Sequence, residues 1–270
     1  MKEKAKGQMA KWNAADYAAN SVVQQTWARE LIAKLNLRGD EHILDVGCGD
    51  GKVTAEIARA LPHGLVTGVD ASAEMIAFAK KTFPAKKSPN LKFHAMDARK
   101  IKFKRQFDIV FSNAALHWVD DHQKFLRGAG SVLKSGGRLI VSCGGKGNAQ
   151  DVFVAMRPEI RLARWRGFFR KMPEPYFFYA PDEYKKWLAK AGFEINRLQL
   201  APKDATYPGA EGFATWVRTT WIPYAQRVPE AVREEFIAAV TKRYVAKHPP
   251  DAEQKVHVRM VRLEIDAVKI

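Results

Sequence analysis

The sequence predicts an α/β fold built around a mostly parallel β-sheet. Two patterns indicate this fold: short apolar segments alternate with segments of helical periodicity, and a glycine-rich turn joins the first apolar segment to the next helix. Strands separated by helices form βαβ units, and such units build parallel sheets. The apolar segments contain few polar residues, as strands do when helices cover both faces of the sheet.

The elements of the first half alternate regularly after a helical entry segment. That segment has apolar residues every four positions, which form one stripe: Val23, Trp27, Leu31 and Leu35. Ser72 is suited to begin a helix, because its side chain can accept from a backbone N–H of the first turn. The sequence predicts strands at 42–46, 65–69, 91–95, 107–112 and 138–142, with helices at 52–60, 72–82 and 121–133.

From Gly144 onward, the regular alternation of short strands and helices ends. We expect a helix that begins at Pro158, a short helix ended by Gly192, a strand at 193–200 and two helical pieces between 210 and 247. A long strand ends the sequence, and its apolar phase slips by one residue at Met260–Val261. The slip predicts a bulge or burial on both faces. The two late strands are expected to form an antiparallel edge hairpin, which brings the sheet to seven strands.

The composition limits the class of protein. Apolar residues make up 47% of the 270-residue chain, which is enough for a sizeable core. The 45 basic and 29 acidic side chains give a formal charge of +16, so the surface attracts anions. The N-terminus lacks the apolar core of a signal peptide, and no apolar run could span a membrane. Cys48 and Cys143 predict neither a disulfide nor a zinc framework, so we expect a cytoplasmic protein without a metal site.

The turn after the first strand carries glycine at every second position. Gly47, Gly49 and Gly51 permit positive φ and close approach of a ligand to the backbone. Asp45 precedes them, so the spacing is Asp-x-Gly-x-Gly-x-Gly rather than the Gly-x-Gly-x-x-Gly of dinucleotide sites. Asp45 and Asp50 would repel a pyrophosphate, whereas they would attract a cationic amino-acid tail.

Two further aspartates follow the next strands. Asp70 ends the second strand, where a carboxylate can accept from both ribose hydroxyls. Asp97 follows the third strand, where a carboxylate can accept from the amino group of adenine. Together with the glycine turn, these positions favour S-adenosylmethionine over a dinucleotide as the ligand.

On these motifs, residues 40–145 resemble the class I S-adenosylmethionine-dependent methyltransferases. The resemblance implies a Rossmann-like sheet of seven mostly parallel strands with an antiparallel last strand and a helical cap. It also implies S-adenosylmethionine as the cofactor and a set of residues that contact it. The implied contacts are Asp45, Gly47 and Gly49 at the methionine end, Asn113 beside the sulfonium, Asp70 at the ribose, Ala71 and Met75 beside the adenine, and Asp97 and Ala98 at its edge.

Two other stretches narrow the resemblance. His117-Trp118 and the segment "DYAANSVVQQ" at 16–25 resemble trans-aconitate methyltransferases and insect juvenile hormone acid methyltransferases, which methylate carboxylates of small molecules. In the juvenile hormone enzymes, a glutamine at the position of Gln24 holds the acceptor carboxylate together with the tryptophan of His-Trp. The resemblance therefore implies Gln24 and Trp118 as donors to the acceptor, with His117 as a second donor or a structural residue.

These resemblances predict O-methylation of the carboxylate of a small or medium organic acid. A monomer is the favoured oligomeric state, which the sequence does not fix. A carboxylate is ionised at neutral pH, so the reaction needs alignment and exclusion of water rather than a general base. Three alternatives stay open: C-methylation of an alkene such as a terpene diphosphate, methylation of RNA or protein, and binding of the cofactor in the service of a partner protein. The residues at 113–116, Asn-Ala-Ala-Leu, lack the Pro-Pro-aromatic signature of base amino methylation, so nucleic acid is the less favoured partner.

We expect four parts along the chain. Residues 1–40 form an N-terminal helical segment that closes the site, and residues 41–145 form the cofactor-binding core. Residues 146–182 form a cap insertion, and residues 183–270 complete the sheet and add further cap helices. Phe213, Trp216 and Trp221 fall in those helices, where packing in a core and a wall around the acceptor are both open.

Overall fold

The computed structural model describes residues 22–104 and 106–270, and it describes side chains from Thr26 onward. Its strands are β1 (His42–Val46), β2 (Leu65–Asp70), β3 (Leu91–Ala95), β4 (Phe107–Asn113), β5 (Leu133–Gly144), β6 (Phe193–Pro208) and β7 (Lys255–Lys269). Its α-helices are α1 (Val22–Ala33), α2 (Lys52–Arg59), α3 (Ala73–Thr82), α4 (His122–Val132), α5 (Gln150–Arg161), α6 (Pro181–Lys190), α7 (Gly209–Thr220), α8 (Ile222–Ala225) and α9 (Glu230–Val245). Within the described residues, no helix combines the length and the apolarity needed to cross a bilayer.

The seven strands form one sheet in the order β3-β2-β1-β4-β5-β7-β6. The pairs from β3 to β5 are parallel, and β7 runs antiparallel to β5. The predicted fold class is therefore confirmed, including the antiparallel last strand. The two late strands lie side by side at this edge of the sheet, as expected, with β7 between β5 and β6. Three helices, α7 to α9, separate β6 from β7 in the sequence, so no tight turn joins the two strands.

Helices cover both faces of the sheet, as the apolar strands predicted. The adjacent residues Ile43 and Leu44 of β1 belong to different apolar clusters, because successive side chains of a strand point to opposite faces. The cluster around Ile43 includes residues of α2 and α3 and Leu31 of α1. The cluster around Leu44 includes residues of α4 and α6. A strand buried on both sides has to be apolar throughout, which accounts for the composition of β1.

The described residues group into two compact units. The larger comprises the chain from α1 to Asn148, Tyr176–Lys203 and Val261–Ile270, and it contains the parallel strands. The smaller comprises Ala149–Pro175 and Asp204–Met260. Aromatic side chains form much of the core of the smaller unit: Phe213 stacks on Tyr244 with ring centroids 4.4 Å apart, and Trp216 stacks on Tyr207 at 5.0 Å.

One local prediction needs correction, and one pair of alternatives is resolved. Pro158 lies inside α5 rather than at the start of a helix, and the residues that follow Arg161 form turns. Burial of Val152 and Met156 holds α5 together, since this packing outweighs the backbone hydrogen bond that a proline removes.

At the phase slip, the pairing of β7 with β5 is regular from Arg262 onward. Every residue of β7 from Arg262 to Ile265 is buried, so burial on both faces explains the slip and no bulge is needed there.

Gly47→Ala should destabilise the fold much more than Gly136→Ala. Both glycines have φ near +80°, at 80° and 75°, but a Cβ on Gly47 would lie 2.1 Å from the Cβ of Ala115 and one on Gly136 would meet nothing within 4 Å. The left-handed conformation alone costs about 1–2 kcal/mol. Overpacking at Gly47 adds about 1–3 kcal/mol. Urea unfolding of the two variants measures the difference, and equal losses of unfolding free energy would show that the contact with Ala115 is easily relieved.

Candidate active site

The turn between β1 and α2 is attached to the end of β2. The backbone N–H groups of Gly47 and Cys48 both donate to the carbonyl oxygen of Val69, at 2.7 and 3.0 Å. Gly47, Gly49 and Gly51 have φ of 80°, 52° and 81°, values that residues with a Cβ rarely adopt. The turn therefore has the positive-φ conformation that its glycines predicted, and it brings the ends of β1 and β2 together.

Asp70, at the end of β2, completes this attachment. Its Oδ2 accepts from the N–H of Gly49 at 3.0 Å, and its Oδ1 accepts from the N–H of Ser72 at 2.8 Å. Burial raises the pKa of the Asp70 carboxyl, and the two backbone donors partly oppose that rise. Each carboxylate oxygen has a second lone pair, so Asp70 can accept from hydroxyl groups of a ligand without releasing the turn.

Asp45 lies in β1 and is almost completely enclosed, with 2% of its surface exposed. Its Oδ2 accepts from the hydroxyl of Thr54 at 2.7 Å. Burial raises the pKa of Asp45 to about 7, the Thr54 hydrogen bond opposes this, and the negative charge of Asp70 adds to it. The carboxyl is therefore about half protonated at neutral pH, and a cation beside it would favour the ionised form.

The surroundings of Cys48 show that the turn is electronegative. Burial raises the pKa of its thiol well above the ordinary value, and the negative charges of Asp45, Asp70 and Asp50 raise it further. The thiolate is therefore suppressed, and Cys48 is a small buried side chain rather than a nucleophile. The same charges attract a cationic group and repel a pyrophosphate.

Asp97 follows β3 and is bound to Arg99. Its Oδ1 accepts from the backbone N–H of Arg99 at 2.8 Å, and the Arg99 guanidinium bonds to both carboxylate oxygens. These hydrogen bonds hold the pKa of Asp97 below its usual value. Nη1 of Arg99 also donates to Oδ1 of Asp120 at 2.8 Å, which links Asp97 to the segment that contains Trp118.

The other residues predicted around the adenine differ in exposure. Ala71, directly after β2, is exposed, whereas Met75 in α3 is 3% exposed. Ala98 is partly buried and begins a short 3₁₀ turn. The hydroxyl of Ser72 accepts from the N–H of Met75 at 3.2 Å and caps α3, as the sequence predicted. The contacts of these residues with a cofactor stay a prediction.

Arg262 places a buried positive charge at the carboxyl ends of β4 and β5. Its side chain is 4% exposed, and its Nη2 donates to Oδ1 of Asn113 at 3.3 Å and to the carbonyl of Ser142 at 2.5 Å. Its Nε donates to the Ser142 hydroxyl at 3.2 Å. The guanidinium carbon lies 5.5 Å from the ring centroid of Trp27. Asn113, the residue predicted beside the sulfonium, is therefore in direct contact with a guanidinium.

His117 and Trp118 follow β4 in a short 3₁₀ turn, and His117 is neutral. Burial, and then the positive charge of Arg262, lower the pKa of His117 to about 3. Nδ1 of His117 accepts from the backbone N–H of Gly144 at 3.3 Å. Since a neutral imidazole carries one proton, that proton has to be on Nε2, which is therefore a hydrogen-bond donor.

A strap of aromatic residues at 176–179 lies against this turn. The N–H of Phe177 donates to the carbonyl of His117 at 2.9 Å, and the carbonyl of Tyr179 accepts from the N–H of Lys146 at 2.9 Å. The ring centroids of Tyr176 and Trp118 are 4.8 Å apart, and Tyr176 also stacks on Phe178 at 5.6 Å. The strap therefore gives Trp118 an apolar wall.

The larger unit holds all the described residues of the predicted site, in two groups. The glycine turn carries Asp45 and Asp70, and Arg99 joins Asp97 to the second group around Asn113, His117 and Trp118. The side chain of Gln24 lies outside the described residues, so its role stays a prediction. Arg262 was missed as a site residue, although a basic residue at the phase slip of an otherwise apolar strand was a usable signal. The site positions of the strap residues depend on long-range contacts that the sequence does not reveal.

Comparison with known proteins agrees with this geometry. A family model described as a methyltransferase domain matches residues 43–137. An uncharacterized methyltransferase of Schizosaccharomyces pombe is 32% identical over 193 residues, which cover 70% of this chain and 72% of that protein. The chain belongs to the class I S-adenosylmethionine-dependent methyltransferases.

Two further matches extend over nearly the whole methyltransferase. A trans-aconitate 2-methyltransferase of Rhodopseudomonas palustris is 28% identical over 272 residues, covering 97% of this chain and all of that protein. The crystal structure of the YcgJ protein of Bacillus subtilis superimposes with a TM-score of 0.62 at 20% identity, covering 91% of this chain and 98% of that one. The first match confirms the resemblance to trans-aconitate methyltransferases, and the second shows the fold.

S-adenosylmethionine is the cofactor of this methyltransferase. The residues predicted to hold S-adenosylmethionine suit its chemistry. The carboxylates of Asp45, Asp50 and Asp70 make the turn negative, which suits a ligand with a positively charged sulfur and an ammonium group. Asp70 retains acceptor capacity for ribose hydroxyls, and the turn at Gly49 has no side chain to obstruct the ligand.

Binding of S-adenosylmethionine should release protons from Asp45. The carboxyl is about half protonated near pH 7 before binding, and the cationic ligand favours the ionised form, so about half a proton should leave per ligand bound near that pH. Calorimetric titrations near pH 7 in two buffers of different ionisation enthalpy measure this release. Asp45→Asn should release much less while still binding. If the variant and the wild type release protons equally, Asp45 is not the titrating group.

Proposed function

We propose that this methyltransferase transfers a methyl group from S-adenosylmethionine to the carboxylate of a small or medium organic acid. The observation that carries the proposal is the nature of the groups after β4. They include the buried guanidinium of Arg262, the Nε2–H of His117 and the indole N–H of Trp118. A positive charge and hydrogen-bond donors suit an acceptor that is an anion with acceptor oxygens.

The histidines of this stretch are unsuited to act as general bases. The pKa of His117 is about 3, and its Nδ1 already accepts from Gly144. Burial lowers the pKa of His122 to about 4, and its two ring nitrogens are engaged by the hydroxyl of Tyr184 and the carbonyl of Leu116. An alcohol or ammonium acceptor would have to lose a proton, whereas a carboxylate is already ionised. The state of the histidines therefore supports a carboxylate.

The chain's own part in the reaction is to bind, orient and exclude water. S-adenosylmethionine, when bound, would supply a methyl group whose bond to the positively charged sulfur breaks as the methyl carbon bonds to a carboxylate oxygen, with the neutral thioether as the leaving group. Trp118, packed on Tyr176, offers its N–H to the acceptor from an apolar wall. Gln24 is proposed as a further donor. The proposed cofactor contacts remain those implied by the family: Asp45, Gly47, Gly49, Asp70, Ala71, Met75, Asp97, Ala98 and Asn113.

The relatives support an acid acceptor over an alkene. The name of the Rhodopseudomonas palustris protein gives its acceptor as trans-aconitate, an organic acid. C-methylation of an alkene produces a carbocation, which the aromatic rings of Trp118, Tyr176 and Phe178 could stabilise. The guanidinium of Arg262 lies at the same strand ends and would destabilise such a cation. The alkene reaction is therefore the weaker of the two candidates.

A panel of organic acids and their matched amides should separate the candidate reactions. With S-adenosylmethionine present, mass spectrometry should detect a methyl ester of at least one acid, and the corresponding amide should stay unmodified, because it has no ionised oxygen. Equal methylation of acid and amide would contradict carboxylate recognition. If an alkene is methylated while every acid in the panel stays unmodified, C-methylation is favoured instead.

Arg262→Met should raise the KM for an acid substrate much more than the KM for S-adenosylmethionine. Loss of a charge-assisted interaction with a carboxylate costs about 1.5–3 kcal/mol, or roughly tenfold to 150-fold in kcat/KM. Arg262→Lys keeps the positive charge and should recover part of the loss. Thermal unfolding of both variants checks that the fold survives. If KM rises equally for acid and cofactor, or if lysine recovers nothing, Arg262 supports the structure rather than the acceptor.

A further inference from the structure

Residues 154–171 of the smaller unit include several basic and apolar side chains that are exposed. Arg157, Arg161, Arg166 and Arg170 are exposed, and so are Val154 and Leu162, at 41% and 46%. Within the described residues, the third strongly exposed large apolar side chain is the last residue of the chain, Ile270. We call these four arginines with Val154 and Leu162 the basic–apolar surface.

The inner side of this segment is packed against α9, which fixes the outward direction of the surface. Glu159 is buried and accepts from Arg243 of α9 at 2.7 Å. Trp165 is 2% exposed and packs edge-on against Phe236 of α9, with ring centroids 5.5 Å apart. Because Glu159 and Trp165 are held against α9, the exposed side chains lie on the solvent side of the segment.

Helix geometry brings the two kinds of side chain together. In α5, Val154, Arg157 and Arg161 are separated by three and four residues and therefore lie on one face. Leu162 follows directly, at the end of that helix. The backbone N–H of Arg166 donates to the carbonyl of Leu162 at 2.8 Å, so exposed arginines lie close in the chain to both aliphatic side chains.

The positive charge of the surface is not balanced by nearby carboxylates of the described chain. Arg164 is paired with Glu235, and Glu159 is directed inward to Arg243. For Arg161, Arg166 and Arg170, the described residues provide no ion pair. These three guanidinium groups are therefore available to an external anion.

We propose that the basic–apolar surface docks the methyltransferase on an anionic lipid membrane. Arginines attract acidic headgroups, and aliphatic side chains between them enter the boundary between headgroups and acyl chains. A surface for single-stranded RNA would need exposed aromatic rings for base stacking, but Trp165 is buried. A stable protein interface has a contiguous apolar centre, whereas Val154 and Leu162 are separated by arginines.

Co-sedimentation of the full chain with lipid vesicles tests this proposal. The full chain should bind phosphatidylcholine vesicles that contain about one third phosphatidylglycerol, should bind pure phosphatidylcholine weakly, and should be released by salt. The triple variant R161E/R166E/R170E should lower the partition coefficient at least about a hundredfold, since each charge removed costs about fivefold. Leu162→Ser leaves the charges in place and should lower it by about threefold to tenfold.

A charge-matched control separates this surface from the general basicity of the chain. K81E/K86E/K87E makes the same change in net charge at exposed positions of the larger unit, and it should lower vesicle binding by less than about threefold. Thermal unfolding confirms that each variant is folded. Equal losses in the two triple variants would overturn the proposal, as would an unchanged partition coefficient in Leu162→Ser. Tighter, salt-sensitive binding of an RNA oligonucleotide or an acidic protein than of the vesicles would also overturn it.

Discussion

The candidate site depends on one constraint at the end of β1, where the chain has to turn while in contact with both β2 and the residue after β4. The N–H groups of Gly47 and Cys48 reach the carbonyl of Val69, and Gly47 passes so close to Ala115 that a Cβ does not fit. Glycine alone combines the left-handed conformation with that contact. The turn thereby aligns the ends of three parallel strands, from which the two groups of site residues extend.

The two groups of site residues also differ in their electrostatic character. The glycine turn is surrounded by carboxylates, and burial raises the pKa of Asp45 to about 7. The groups after β4 consist of a buried guanidinium, a neutral histidine with its donor at Nε2 and an indole. A cationic methyl donor fits the first environment, and the anionic acceptor that we propose would fit the second.

The conformation of the glycine turn was predictable because its requirements are local. Glycine spacing sets the conformation of the turn, and an aspartate that ends a parallel strand reaches the shared edge of the sheet wherever the helices lie. Among the groups after β4, only those in a motif that adjoins the strand could be named from the sequence, as His117-Trp118 adjoins β4. Arg262 and Tyr176 reach this edge from distant parts of the sequence. Arg262 is carried by β7, which pairs antiparallel with β5, and Tyr176 belongs to the strap at 176–179. Neither position follows from local periodicity.

The sequence by itself determined the α/β class, the seven strands, the conformation of the glycine turn and the chemistry of its ligand, because backbone sterics and the alternation of strands act over a few residues. The tertiary structure decided the place of β7 inside the sheet, the tautomer of His117 and the burial of Arg262. It also decided which arginines face solvent, since packing against α9 turns Glu159 inward and leaves Arg161 outside. Such properties depend on which segments meet, and that is settled only when distant parts of the chain compete to bury their apolar surface.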